Sequence, residues 1–230
     1  MTHLKTIAAP RTMKISRRET KFILSPIAGP HAKAACVPLG VVLRDYLGLV
    51  ENRKEIKYML NNKEVLVDGR RVRDENRPMG LFDILSIPEI EKTYIIMVNH
   101  RGELLPQEID KKHADYNLCK ITGKTALRGG KIQLNCYDGK NILVDAKDGK
   151  KYTIGGTLVL KLPELKITDF MPLEKGKTAI VAKGRHAGKK GKILDISKSD
   201  LNLGSLTTLE CDGEKVLTNT DYIFMIGDKL

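Results

Sequence analysis

Apolar residues in this chain come in short bursts, and nothing else in the sequence restricts the fold as much. Val65 and Val67 alternate with polar neighbours into Asp68-Gly69, and Arg71-Val72-Arg73 returns. That is the pattern of a tight hairpin with one buried face. Asp138-Gly139 and Asp148-Gly149 repeat the turn signal among the runs 131–134, 141–144 and 152–154. Segments 82–87, 93–99, 179–181, 192–194 and 221–226 read as further strands. Closely spaced short strands with turn residues between them predict small β-barrels. Aromatic residues are 5% of the 230 and Trp is absent, which favours several small aliphatic cores over one large one.

Helical periodicity is confined to one place. Leu39, Val42, Leu43, Tyr46, Leu47 and Val50 recur at three- and four-residue steps, predicting an amphipathic helix opened by Pro38. Asn52 and Glu55 have capping-box spacing for a second helix running to about Leu60. In it Ile56 and Met59 fall opposite Arg53, Lys54 and Lys57. Asn61-Asn62 is expected to end it in the left-handed conformation.

The formal net charge is +12, an excess that attracts polyanions. It is unevenly placed. Residues 1–36 hold Lys5, Arg11, Lys14, Arg17, Arg18, Lys21 and Lys33 against Glu19 alone. Residues 172–192 hold Lys175, Lys177, Lys183, Arg185, Lys189, Lys190 and Lys192 against Glu174. The end is mildly acidic, with Glu210, Asp212, Glu214, Asp221 and Asp228 against Lys215 and Lys229. Clustering of this kind predicts surfaces turned toward a polyanion, not a generic solvated exterior. A membrane is a poor candidate: no apolar run approaches the ~18 residues of a spanning helix. The N-terminus lacks the apolar stretch of a signal peptide and is read as mature sequence.

Catalytic and metal-binding patterns are weak. Cys36, Cys119, Cys136 and Cys211 have no paired zinc-ribbon spacing; they are expected to be reduced fillers, although distant pairs can meet in space. His3, His31, His100, His113 and His186 are scattered. Gly123-Lys124-Thr125 and Gly176-Lys177-Thr178 imitate the end of a phosphate-binding loop, but Leu118 and Met171 stand where the first glycine belongs. No enzyme, cofactor, resident metal or small-molecule substrate is expected.

Three segments carry the functional reading. Pro10, Pro26, Gly29 and Pro30 make residues 1–36 an extended basic arm that packs against something instead of floating free. From Val37 to about Arg101, the string Asn52-Arg53-Lys54-Glu55-Ile56, then Val65-x-Val67-Asp68-Gly69-x-x-Val72, then Asp83-Ile84-Leu85 resembles the S4-type RNA-binding module. Its second helix offers Arg53, Lys54 and Lys57, and the hairpin adds Arg70, Arg71 and Arg73. A solvated face balanced by Glu51, Glu55, Asp74 and Glu75 is the plain alternative. Asn62 departs from the Gly usual in that module. Lys183-Gly184-Arg185-His186-Ala187-Gly188-Lys189-Lys190-Gly191-Lys192-Ile193 resembles the KOW motif, whose glycines permit tight turns and close approach.

In this order, with Ala8-Ala9-Pro10-Arg11, Gly29-Pro30-His31, Tyr116-Asn117-Leu118-Cys119-Lys120, Lys166-Ile167-Thr168-Asp169-Phe170 and Ile223-Phe224-Met225-Ile226-Gly227, the chain resembles the archaeal–eukaryotic S4e family of small-subunit ribosomal proteins. The resemblance implies a non-catalytic cytoplasmic protein of the ribosome, with ribosomal RNA and neighbouring small-subunit proteins as partners. Thr6 and Met13 depart from the family pattern, where a basic residue and Trp are usual. The end at Leu230, without a basic tail, favours the archaeal type.

The expected fold is α+β and mostly β: arm 1–36, S4-type module 37–102, central β-barrel region 103–173, and a KOW-containing SH3-like domain 174–230. The RNA-binding residues expected are Lys5, Arg11, Lys14, Arg17, Arg18, Lys21, Arg53, Lys54, Lys57, Arg70, Arg71, Arg73, Lys183, Gly184, Arg185, His186, Gly188, Lys189 and Lys190. They are expected to converge on one side. Rival readings are a KOW-containing transcription elongation factor and an RNA-modifying enzyme anchored by the S4-type module.

Overall fold

The computed structural model describes residues 3–110, 114–198, 205–211 and 213–227. His113, Asp212, Asp228 and Lys229 lie outside the described residues. The chain divides into two compact units. The first comprises Met1–Val98, Glu103–Asn117 and Leu162–Glu164; the second comprises Asn99–Gly102, Leu118–Lys161 and Leu165–Leu230. No helix among the described residues is long and apolar enough to cross a membrane.

In the first unit, β1 (Leu4–Lys5) pairs with β2 (Phe22–Ile23), and β3 (Val37–Pro38) leads into α1 (Leu39–Val41) and α2 (Arg53–Asn62). Then come β4 (Leu66–Val67), β5 (Arg70–Arg71), β6 (Pro78–Met79), β7 (Ile84–Ile87), β8 (Lys92–Val98) and β9 (Leu104–Ile109). β3 pairs with β6, and the main sheet has the antiparallel order β5-β4-β7-β8-β9. Its core includes Leu39, Leu43, Ile56, Leu60, Phe82, Ile84, Leu85 and Ile96, all essentially without solvent contact. Burial of such side chains contributes roughly 1.5–3 kcal/mol each.

The arm is held down along its length. Met13 and Leu4 are buried, Leu104 N–H donates to Thr12 O at 2.8 Å, and Ile27 N–H donates to Asn76 O at 3.0 Å. His31 is buried, with Nε2 2.8 Å from Asp83 Oδ2, an oxygen that also accepts from Gly80 N–H at 2.9 Å. Gly80 has no room for a side chain, because a Cβ there would overlap the His31 ring.

The second unit is almost entirely β. It contains β10 (Tyr116–Leu127), β11 (Lys131–Cys136), β12 (Asn141–Asp145), a single turn α3 (Ala146–Gly149), β13 (Thr157–Lys161) and β14 (Lys166–Met171). These strands form a five-stranded sheet in the order β12-β11-β10-β13-β14 around Cys119, Ile121, Leu134, Cys136, Leu158 and Leu160. A second five-stranded sheet joins β15 (Thr178–Val181), β16 (Lys190–Lys198), β17 (Ser205–Cys211), β18 (Glu214–Asn219) and β19 (Ile223–Met225) in the order β18-β17-β16-β15-β19. It encloses its own core of Ala179, Val181, Ile193, Leu209, Val216, Ile223 and Met225. The mostly-β architecture with separate small aliphatic cores is the one the sequence predicts.

Several local expectations need correction. The first helix stops well short of Val50. After Val41 it widens into a π turn, Val42–Tyr46, with Leu47 N–H bonding Val42 O, and Gly48 then takes φ +61°. Pro38 is its N-cap, not its first turn. Asn62 is the last residue of α2 and is not left-handed, since the chain leaves extended through Lys63. Asp148-Gly149 closes α3, where a Cβ on Gly149 would lie 2.5 Å from Ile132 Cδ1. Tyr152–Ile154 is a loop whose Tyr152 ring meets Phe170 edge-on at 5.3 Å, so packing replaces strand alternation there. Residues 221–222 form a 3₁₀ turn before β19.

Candidate nucleic-acid interface

The arm's cations do different jobs. Lys5, Arg11, Lys14, Arg18 and Lys21 are exposed. Lys21 Nζ lies 5.6 Å from the centre of the Phe22 ring, which is itself half exposed. Arg17 turns inward: its Nη1 donates to Thr6 O, Ile7 O and Ala9 O at 3.3, 3.0 and 3.0 Å. One planar fork thus satisfies carbonyls of the loop 6–9, leaving little of it for a partner. Lys14 N–H donates to the Tyr46 hydroxyl at 2.9 Å, and burial pushes that phenol up to about 12.

α2 starts as its sequence predicts. Glu55 accepts from Glu51 N–H at 2.8 Å and Asn52 N–H at 3.5 Å, completing a capping box. Ile56, Met59 and Leu60 are buried, which turns Lys54 and Lys57 to solvent. Arg53 differs from those two lysines. Its Nε and Nη2 meet Glu75 Oε1 at 2.6 and 2.5 Å, and Glu75 is buried. That pairing raises the guanidinium's pKa further, chiefly through the hydrogen bond to Glu75.

The Asp68-Gly69 turn has φ +51° and +72°, as a two-residue hairpin loop requires. It leaves Arg70, Arg71 and Arg73 exposed, and Arg71 Nη2 donates to Asn61 O at 3.0 Å, fastening the hairpin to the end of α2. Lys54, Lys57, Tyr58 and Asn61 therefore form one helical stripe leading to Arg71. Tyr58 carries no charge to mark it in the sequence, yet it is 67% exposed. Its place one turn after Lys54 is the signal that reveals it. A groove of about 890 Å³ is lined by arm residues including Phe22 and Lys33 together with Arg44, Arg53 and Asn76.

The KOW-like loop belongs to the second unit and joins β15 to β16. Lys183, Arg185 and Lys190 are exposed, while His186, Gly188 and Lys189 are half buried. Lys183 Nζ lies 5.3 Å from the Tyr137 ring centre, and Lys189 Nζ pairs with Glu214 Oε2 at 3.3 Å. Gly184 and Gly188 have φ +90° and +79°. A Cβ on Gly188 would meet the Asn99 carbonyl carbon at 2.6 Å, and one on Gly191 would overlap Glu210. The close approach at these two glycines is thus to the chain's own backbone.

The phosphate-loop imitations sit in β structure: Gly123-Lys124-Thr125 is within β10, and Gly176 turns the chain into β15.

Comparison with known proteins agrees along the whole length. The model of ribosomal family S4e matches residues 90–167, that of the RS4NT domain matches 2–34, and that of the KOW motif matches 175–203. The chain is 40% identical to small ribosomal subunit protein eS4 of Nanoarchaeum equitans, covering 98% of this chain and 95% of that one. It is 37% identical to the protein of the same name from Archaeoglobus fulgidus, covering 99% and 94%. The crystal structure of 30S ribosomal protein S4e from Thermoplasma acidophilum superposes with a TM-score of 0.72 at 30% identity, covering 84% of this chain and 95% of that one.

Proposed function

We propose a function for a chain that belongs to the ribosomal family S4e: it is a structural constituent of the small ribosomal subunit and binds ribosomal RNA. The observation that carries this reading is likeness to small-subunit proteins over 98% of the chain at 40% identity. The transcription-factor and RNA-modifying alternatives have no comparable support. The protein works as an architectural element in the cytoplasmic ribosome, next to other small-subunit proteins.

Contact is made from three places: the arm (1–36), the α2–hairpin face of the module (37–102), and the KOW-like loop of the C-terminal domain (174–230). Lys5, Arg11, Lys14, Arg18 and Lys21 serve the first. Lys54, Lys57, Arg70, Arg71 and Arg73 serve the second, and Lys183, Arg185, Lys189 and Lys190 the third. These side chains neutralise phosphates, and exposed Tyr58 and Phe22 stack on unpaired bases. Arg17 and Arg53 support the contact surface by holding the arm and Glu75. Phosphate and shape contacts of this kind suit folded RNA, whose deep groove side chains read poorly.

Ultraviolet crosslinking of the native particle, with mapping of both partners, tests the reading. Crosslinks should join Tyr58 and the KOW-like loop to small-subunit RNA. Recovery of crosslinks only to large-subunit RNA, or to none, would overturn it.

A further inference from the structure

Two of the four cysteines come together with a carboxylate at the core of the sheet β12-β11-β10-β13-β14. Cys119 lies on β10, Cys136 ends β11, and Asp138 sits in the hairpin turn that follows. Their exposures are 2%, 6% and 5%. The two Sγ atoms and a carboxylate oxygen of Asp138 all lie within 4.8 Å of one another. Cys119 Sγ is 2.7 Å from Asp138 Oδ2, and Lys140 Nζ is 2.7 Å from the same oxygen. Asp138 Oδ1 is occupied differently, accepting Lys140 N–H at 3.2 Å across the turn.

We infer that Cys119, Cys136 and Asp138 form a binding site for one thiophilic divalent cation of the zinc type. Two sulfurs and one oxygen are a donor set such ions take, with a fourth position left for water. Tetrahedral bonds of ~2.3 Å to sulfur and ~2.1 Å to oxygen place donors roughly 3.5–3.8 Å apart, a spacing that side-chain rotation reaches here. The donors come from two paired strands and the turn joined to them, elements already fixed by their hydrogen bonds.

Charge favours the same assignment. Without metal, two neutral thiols face the Asp138–Lys140 ion pair, a neutral set. Uptake of the ion forms two metal–thiolate bonds and sends two thiol protons to solvent, with no change of oxidation state. Three anionic donors, a divalent ion and the Lys140 ammonium again sum to zero. The buried region therefore exchanges two protons for one metal ion without acquiring net charge. Lys140 yields Oδ2 to the ion while its ammonium, on a side chain 16% exposed, stays beside the site.

The test is titration of the full-length, reduced, metal-stripped protein with Co²⁺, followed by Zn²⁺ displacement. A thiolate-to-cobalt charge-transfer band should appear, saturate at one ion per chain and vanish when Zn²⁺ is added. Cys119→Ser and Cys136→Ser should each lower Co²⁺ affinity by tenfold or more. Lys140→Ala keeps every donor and removes the competing cation, so it should bind about tenfold more tightly. That gain guards the test against cysteine variants that merely misfold. Absence of the band at millimolar Co²⁺, a band that survives both cysteine variants, or weaker binding by Lys140→Ala would each overturn the assignment. The result is independent of RNA binding, because the readout is spectroscopic and RNA is absent.

Discussion

Lys120 is a charge carried into the interior of the second unit. Its Nζ donates to Thr220 O at 3.0 Å and Asp221 O at 2.9 Å and sits 5.3 Å from the Phe224 ring centre. Burial brings its pKa down from 10.5 to about 8, against the pull of Asp221. The folded state therefore binds its proton less tightly than the unfolded state does. Below pH 8 both states are charged, and folding carries the full cost of burying the ammonium. As pH rises from 8 toward 10.5 the folded chain releases the proton first, and stability increases. Between pH 8 and 9.5, urea midpoints should show wild type gaining about 2 kcal/mol relative to Lys120→Met. A constant difference would show that the ammonium is solvated.

Gly80 and His31 make a second residue-scale prediction. Gly80→Ala drives a methyl into the His31 ring, which should cost about 1–3 kcal/mol and, by loosening the arm, speed tryptic cleavage at Arg17, Arg18 and Lys21. With His31→Ala already present, the same change should cost less, and a double-mutant cycle measures the coupling. No feature of the sequence announces this contact. His31 and Asp83 are 52 residues apart, and a glycine chosen for space looks like one chosen for a turn.

At the scale of elements, α2 is legible because local rules and tertiary packing agree. Capping box, apolar face and basic face all fall where the sequence puts them. The first helix is less so: Leu47 and Val50 keep helical spacing on paper, but the π turn ends at Tyr46 and left-handed Gly48 turns the chain away before Val50. Asp148-Gly149 and Asp138-Gly139 are the same dipeptide, yet only the second is flanked by strands in register, which no local signal reports.

The stripe on α2 yields an experiment. Lys54→Ala, Lys57→Ala and Tyr58→Ala combined remove two of the proposed phosphate contacts and the proposed stacking ring, so affinity for small-subunit RNA should fall 10- to 100-fold. Thermal stability should barely change, because Ile56, Met59 and Leu60 are untouched. Arg53→Ala belongs to a different class. It strips the partner from buried Glu75 and should destabilise the fold by about 1–3 kcal/mol, read from denaturant midpoints.

For the molecule as a whole, charge and composition set the behaviour. A net +12 directed at roughly six to ten phosphates predicts that RNA affinity falls by about 10³–10⁵ between 50 and 200 mM salt. Binding titrations across that range check it, and a flat response would exclude a phosphate-dominated contact. The mostly-β architecture was legible because turn residues and two-residue alternation survive in the bare sequence. Which cations are spoken for was not. Arg17 and Arg18 are adjacent and chemically identical, and only the folded arm separates them, the first bonded to carbonyls and the second exposed.

That bonding of Arg17, with His31 latched beneath Gly80, bears on how fast a particle can be built. A floppy tail must surrender its conformational entropy when it meets RNA, at roughly 1–2 kcal/mol per residue fixed. An arm folded in advance has already done so, and its encounter with RNA resembles rigid docking. Association should therefore be fast and governed by electrostatic attraction, with the slow step left to the RNA.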